Sequence, residues 1–125
     1  MFEQDYIMRL IKEMIRTILK LLFNIDSENP TAGLLENHEE KSTLETLLDM
    51  VDAGDINEAE NRILAIADTG NKASLELVLL FYSYLNDKSE EFLTEHNFSR
   101  KEIQEDLKYI LSQYGLSSMA EMFLT

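Results

Sequence analysis

The spacing of apolar and basic residues at the start of the chain predicts a long helix. Residues 2–23 read FEQDYIMRLIKEMIRTILKLLF. On a helical wheel the basic side chains fall on one narrow stripe, and apolar side chains cover an arc of roughly 200°, about twice what a surface helix needs. The stripe consists of Arg9, Lys12, Arg16 and Lys20. This helix is therefore predicted to contact neighbours on two sides.

Three arrangements would cover so wide an apolar arc. The helix is the central helix of the fold, or it packs with one side on the body and with the other on a second subunit. Because it is basic and amphipathic, it also fits a helix that lies on a membrane surface. The residues predicted to make the interaction are Ile7, Leu10, Ile11, Met14, Ile18 and Leu21.

The rest of the chain also shows helical spacing, interrupted by turn signals. Residues 24–30 (NIDSENP) read as a turn or linker, and residues 31–41 are ambiguous because Gly33 weakens a helix there. Capping boxes at Ser42, Asp55 and Ser99, each with Glu three residues later, predict three helix starts. The predicted helices cover 42–53, 55–70, 72–85, 89–95, 99–114 and a short segment from Ser117.

These elements predict an all-α fold of six or seven helices in antiparallel pairs. The segment 75–85 is apolar enough to be a buried strand, but its length and the lack of a second strand candidate favour a helix. The length of 125 residues suits one domain. It is divided into an apolar helix at 1–24, a linker or short helix at 25–41 and a helical-hairpin body at 42–125.

A repeat is indicated in the middle of the chain. The run from Gly54 to Ala59 (GDINEA) resembles the turn of tetratricopeptide (TPR) repeats, with Ala59 as the small residue that lets the second helix pack closely. Ile66 departs from the pattern because it is bulky where the repeat has a small residue. A weaker second copy follows at 72–95. The alternative to this TPR-like repeat is an irregular helical bundle.

The charge distribution narrows the classes of partner. The chain has 24 acidic and 11 basic residues, for a net charge of −13. Residues 1–24 hold four basic and three acidic groups, so the remaining residues carry −14. An acidic body of this kind is repelled by phosphate backbones, which argues against nucleic-acid binding and opposes approach to anionic membranes. The negative charge either keeps the protein soluble or forms a docking surface for a basic partner.

The chain contains no cysteine, which excludes disulfides and thiolate chemistry. Charges interrupt the apolar run at the N-terminus, and no small-residue cleavage site follows it, so neither a signal peptide nor a membrane span is predicted. The expected location is the cytoplasm.

The opening segment also resembles a known group of proteins. Asp5, Tyr6, Ile7, Met8 and Arg9 match a core that precedes a long apolar helix in a family of small uncharacterised proteins from Gram-positive bacteria. The resemblance is specific over about the first 25 residues. It implies a helical, repeat-like body and a cytoplasmic bacterial setting, and it implies no activity.

No pattern in the sequence predicts a catalytic residue, a cofactor or a metal site. His38 and His96 lack zinc-ligand spacing, and the aspartates at 49, 52 and 55 lack the ladder of a calcium loop. The aromatic residues at 81, 82, 84 and 92 are interpreted as core rather than as a pocket. The leading hypothesis is a non-enzymatic interaction module that forms a homodimer through its N-terminal helix. The alternatives are a peripheral membrane protein and a carboxylate-based, metal-dependent enzyme.

Overall fold

A computed structural model describes residues 2–26 and 35–124, with side chains from Asp5 onward, and these residues form seven helices and no strand. This confirms the all-α prediction. Most of the predicted linker, residues 27–34, lies outside the described residues. The helices are α1 (Phe2–Phe23), α2 (His38–Asp52), α3 (Ile56–Ala67), α4 (Lys72–Asn86), α5 (Glu90–Glu95), α6 (Arg100–Gln113) and α7 (Ser117–Leu124).

The central element is α4, whose sequence is apolar on almost every side. It contacts α1, α2, α3 and α6. An apolar helix of this kind is stable in water only when neighbours cover it all round. The segment that resembled a buried strand is thus a buried helix, and the central position that α1 was considered for belongs to α4. Its buried apolar residues are Leu75, Leu77, Val78, Leu79, Leu80, Phe81, Tyr82 and Leu85.

Helix α1 covers one face of α4 and also contacts α6 and α7. It ends at Phe23 because Asn24 adopts a left-handed conformation with φ of 56°. The backbone N–H of Ile25 then donates to the carbonyl of Leu19 at 3.1 Å, the wrap-around bond of a Schellman-type C-cap. The residues that α1 buries completely are Ile11, Met14, Ile15, Ile18 and Leu19.

The α2–α3 turn lies where the repeat-like motif predicted it. Gly54 has a φ of +93°, and Ala59 is fully buried at the start of α3. A Cβ on Gly54 would lie 2.5 Å from Cδ2 and 2.6 Å from Nε2 of His96. Glycine is needed here for two reasons, the left-handed backbone and the close approach of an imidazole ring.

The predicted helix starts are partly confirmed. Ser99 caps α6 by accepting from the N–H of Glu102 at 3.2 Å, and Ser89 caps α5 by accepting from that of Phe92 at 3.1 Å. The start predicted at Ser42 is wrong. Helix α2 begins at His38 instead, because Asn37 supplies the cap by accepting from the N–H of Glu40 at 3.0 Å. Asp55 precedes α3 but makes no side-chain cap bond.

Alanine substitutions at Gly54 and Gly70 separate the cost of the left-handed backbone from the cost of the contact with His96. Gly70 also has a positive φ, 72°, but a Cβ there would meet nothing within 4 Å. We expect Gly70→Ala to lose about 1 kcal/mol of unfolding free energy, the backbone cost alone. Gly54→Ala should lose about 2–4 kcal/mol, because the His96 ring must also move. Urea denaturation of both variants measures the difference, and equal losses would contradict the predicted contact.

Candidate interaction surface and buried polar clusters

The structure separates the six predicted interaction residues of α1 into three groups. Ile11, Met14 and Ile18 are fully buried in the chain's own core. Ile7 and Leu10 are half-buried and pack against that core. Leu21 is 68% exposed. Much of the wide apolar arc is therefore covered by α4, α6 and α7 of the same chain, and only part of it reaches the surface.

The outward face of α1 consists of two parallel rows. The basic row is the predicted stripe, in which Arg9, Lys12 and Lys20 are exposed. The second row runs beside it and is mainly apolar, with Tyr6, Leu10 and Leu21, interrupted by the exposed Glu13 and by Thr17. Tyr6 is 59% exposed, so this row presents large apolar side chains near both ends of the helix. Together the two rows are the amphipathic outer face of α1.

A buried polar cluster anchors α1 to the body. The Arg100 side chain, only 3% exposed, donates from Nε to Oδ1 of Asn86 at 3.2 Å and from Nη2 to the carbonyl of Asn86 at 2.9 Å. Nη2 also donates to the carbonyl of Lys88. Asn86 in turn donates from Nδ2 to the carbonyl of Met8 at 3.0 Å. One arginine thus connects the start of α6, the end of α4 and, through Asn86, the first half of α1.

Burial lowers the pKa of Arg100 overall, yet the side chain stays charged. The charges of Glu90, Asp5 and Asp87 raise this pKa, but they offset only part of the effect of burial. The ordinary pKa of arginine is so high that the side chain stays charged in proteins. Its planar fork can serve several acceptors at fixed angles, which a lysine ammonium does not reproduce.

A second cluster joins α2 to the end of α4. Asp52 accepts from the Tyr84 hydroxyl at 2.7 Å and forms an ion pair with Lys88 Nζ at 2.6 Å. The hydrogen bonds from Lys88 and, to a smaller extent, from Tyr84 lower the pKa of Asp52. The Lys88 ammonium also lies over the rings of Tyr84 and Phe92, at 4.7 and 5.1 Å from their centroids. The Lys88 ammonium already occupies the position where a bound cation would lie. We therefore interpret the cluster as a structural contact between α2 and α4.

The histidines and aromatic residues singled out in the sequence occupy different environments. His38 is exposed at the start of α2, whereas His96 contacts Phe92 with its Nδ1 2.7 Å from that residue's carbonyl oxygen. Among the described residues, no group of three or more His, Cys, Asp or Glu side chains has an arrangement that could hold a metal ion. Phe81 and Tyr82 are core residues, as interpreted, while Tyr84 and Phe92 are half-buried beside Lys88.

A third polar group lies at the seam between α3 and α6. Glu60 is 8% exposed and accepts a hydrogen bond from the buried Tyr82 hydroxyl at 3.1 Å. Its other polar contact is the carboxyl group of Asp106. Burial and this second carboxyl group raise the pKa of Glu60 to about 9. At neutral pH the pair therefore holds a proton.

A cavity of about 350 Å³ lies where the C-terminal end of α1 meets the starts of α2 and α4. Its walls combine apolar and acidic side chains. Burial and the charges of Glu40 and Glu36 raise the pKa of Glu76 there. The lining residues are Phe23, Ile25, Leu35, Glu36, Asn37, Glu40, Ala73 and Glu76.

Comparison with known proteins identifies the family. Residues 1–115 match the model of a family of unknown function, DUF6483. The chain belongs to this family. The match confirms the expectation of an uncharacterised family, and the matched residues include α1 to α6. No curated protein and no solved structure matches the chain.

In this DUF6483 protein, sequence reasoning found the basic row and missed the buried polar clusters. Arg100 and Glu60 lie on helices whose other polar residues are mostly exposed, and nothing in their spacing marks them as buried. The one available signal was position on the wheel. Glu60 follows the buried Ala59, and Arg100 lies one turn before the buried Ile103.

No helix in residues 2–26 or 35–124 combines the length and apolarity that a membrane crossing requires.

Replacing Arg100 tests the anchor of α1. We expect Arg100→Lys to lose about 2–3 kcal/mol of unfolding free energy, because lysine keeps the charge but leaves buried acceptors unpaired. The matched control is Arg62→Lys, since Arg62 is exposed and forms only a surface pair with Glu58 at 3.6 Å. That control should change stability by less than about 0.5 kcal/mol. Chemical denaturation measures both, and similar losses would contradict a special role for Arg100.

Proposed function

We propose that this protein is a non-enzymatic helical interaction module that self-associates through the outer face of α1. The observation that best supports this proposal is the composition of the outer face of α1. It presents Tyr6 and Leu21 beside a row of exposed basic side chains, on a chain whose remaining residues are strongly acidic. The proposed partner is a second copy of the same chain.

Charge complementarity supports a second copy as the partner. Residues 1–24 carry +1 and the remaining residues −14. Two copies that meet body to body repel one another, whereas the basic row of α1 gains favourable interactions with any acidic surface of a neighbour. Such surface charges favour the correct orientation more than they add affinity.

The apolar row supplies the contact that charges alone do not. Tyr6 and Leu21 are large, and each leaves more than half of its side chain in water. Aromatic residues are enriched at protein–protein interfaces because they bury much area with few rotatable bonds. The half-buried Leu10 lies between them on the wheel and extends the row. The predicted interface thus consists of Tyr6, Leu10 and Leu21 rather than the full set of six.

The proposal also includes a TPR-like arrangement of the helices, a family signature and a cellular location. The pairing of α2 with α3 through a glycine turn, followed by contacts of both with α4, supports a TPR-like arrangement. We also propose that the family's Asp-Tyr-Ile-Met-Arg core, here residues 5–9, is its signature in Gram-positive bacteria. The carbonyl that Asn86 binds belongs to Met8 of this core, which gives the segment a role in anchoring α1. A cytoplasmic location follows from the same resemblance.

The membrane alternative uses the same outer face. Its basic row would meet anionic headgroups, and Tyr6 and Leu21 would enter the interface. Against it, the larger apolar side of α1 is occupied by the core, and the acidic body opposes approach to an anionic surface. No specific observation on the described residues favours the metal-dependent enzyme.

Leu21→Asp tests the interface without disturbing the core. Sedimentation equilibrium of the full chain, up to high micromolar concentration, should give a dimer mass. Leu21→Asp should shift it to the monomer, and its melting temperature should equal that of the wild type at dilutions where both are monomers, because Leu21 lies mainly in water. The matched control is Tyr109→Asp, which alters another exposed apolar residue on α6 and should leave the dimer intact.

Three outcomes would contradict the proposal. These are a monomer at every concentration, a Leu21→Asp variant that still forms the dimer, and binding of the wild type to anionic vesicles as a monomer. The last would favour the membrane alternative. Ile18→Glu is unsuitable as a test, because it buries an unpaired charge in the core and is expected to unfold the protein.

A further inference from the structure

Two carboxyl groups meet between α3 and α6, one of them buried and the other half-buried. Glu60 projects from α3 with 8% of its surface exposed, and Tyr82 from α4 donates to it from a fully buried hydroxyl. Asp106 reaches it from α6. Two ionised carboxylates in such a place repel each other strongly, so the arrangement is stable only when they share a proton.

The surroundings of Glu60 offer no other compensation for a second negative charge. The titratable groups that act on it are Tyr82 from α4 and Asp106 and Glu102 from α6, and no cation is among them. Burial also raises the pKa of Tyr82, so its hydroxyl remains a donor throughout the range in which Glu60 titrates. Among these groups, a proton held by Glu60 can form a hydrogen bond between the two carboxyls.

We propose that the Glu60–Asp106 pair is a proton-dependent catch that holds α6 against α3, and that loss of its proton opens this seam. Opening has consequences beyond the pair itself. Helix α6 also contacts α1, α4 and α7, so an opening at this point disturbs part of the surface on which α1 packs. This inference does not depend on the proposed self-association.

The sign of the pH dependence follows from linkage. In the unfolded chain Glu60 releases its proton near its ordinary value of 4.5, while in the folded chain it keeps the proton up to a pKa of about 9. Between these values the folded state binds one proton more than the unfolded state. Stability is therefore highest at or below the lower value and falls as pH rises through the window. Above the upper value this contribution no longer changes.

Glu60→Gln is the decisive variant, because an amide can accept from Tyr82 and donate to Asp106 without a titrating proton. From pH 6 to 9 the unfolding equilibrium constant of the wild type should rise about tenfold per pH unit more steeply than that of Glu60→Gln. At pH 8 the variant should be the more stable protein. Glu58→Gln, on the exposed side of the same helix, should keep the wild-type slope.

Two further measurements report on the catch directly. In carboxyl ¹³C NMR, one glutamate signal of the wild type should titrate far above the others, be absent in Glu60→Gln and shift to lower pH in Asp106→Asn. Amides in the middle of α6 should lose hydrogen-exchange protection with rising pH, relative to Glu60→Gln at the same pH. A Glu60 signal that titrates near 4.5, or equal pH slopes for wild type and Glu60→Gln, would overturn the proposal.

Discussion

The burial of α4 is the constraint on which the rest of this structure depends. A helix that is apolar on nearly every side must be covered on every side, and four other helices provide that cover. Helices α2 and α3 pack against each other and directly precede α4 in the chain, and α6 follows α4 after the short helix α5. The remaining face is taken by α1, which comes from the far end of the chain. The unusual width of the apolar arc of α1 is explained by this task, since it must meet α4, α6 and α7 together.

Polar groups at the seams around α4 determine how these helices are placed. Apolar contacts alone tolerate sliding and rotation, because they depend mainly on area and volume. The Arg100–Asn86 cluster allows one register between α1, α4 and α6, since its donors must reach particular carbonyls. The Glu60–Tyr82–Asp106 group does the same for α3, α4 and α6. Arg100, Asn86, Glu60 and Tyr82 are buried, so breaking either group leaves unpaired polar atoms in the interior.

Local patterns predicted much of the fold, and tertiary contacts decided the rest. The periodicity of α1, the apolar run of α4 and the serine caps of α5 and α6 are properties of short segments, and each is confirmed. The start of α2 was misplaced because two polar residues, Asn37 and Ser42, are both good caps, and only the packed chain selects between them. Glu60 and Arg100 could not be found in this way, because their partners lie on helices distant in sequence. The same reason divides the predicted interaction residues, since periodicity does not tell which side of α1 meets its own body.

The central claim is that α1 belongs to the same cooperative core as α4, with only its outer face left for a partner. Native-state hydrogen exchange of the full chain tests this most directly, because it reports the free energy of opening for each helix. The backbone amides of Ile11, Met14 and Ile18, whose side chains are in the core, should exchange only through global unfolding. Their opening free energy should equal that of the amides of Val78 and Phe81. If the α1 amides exchange through a much less costly opening while α4 stays protected, α1 is a detachable arm and the account is wrong.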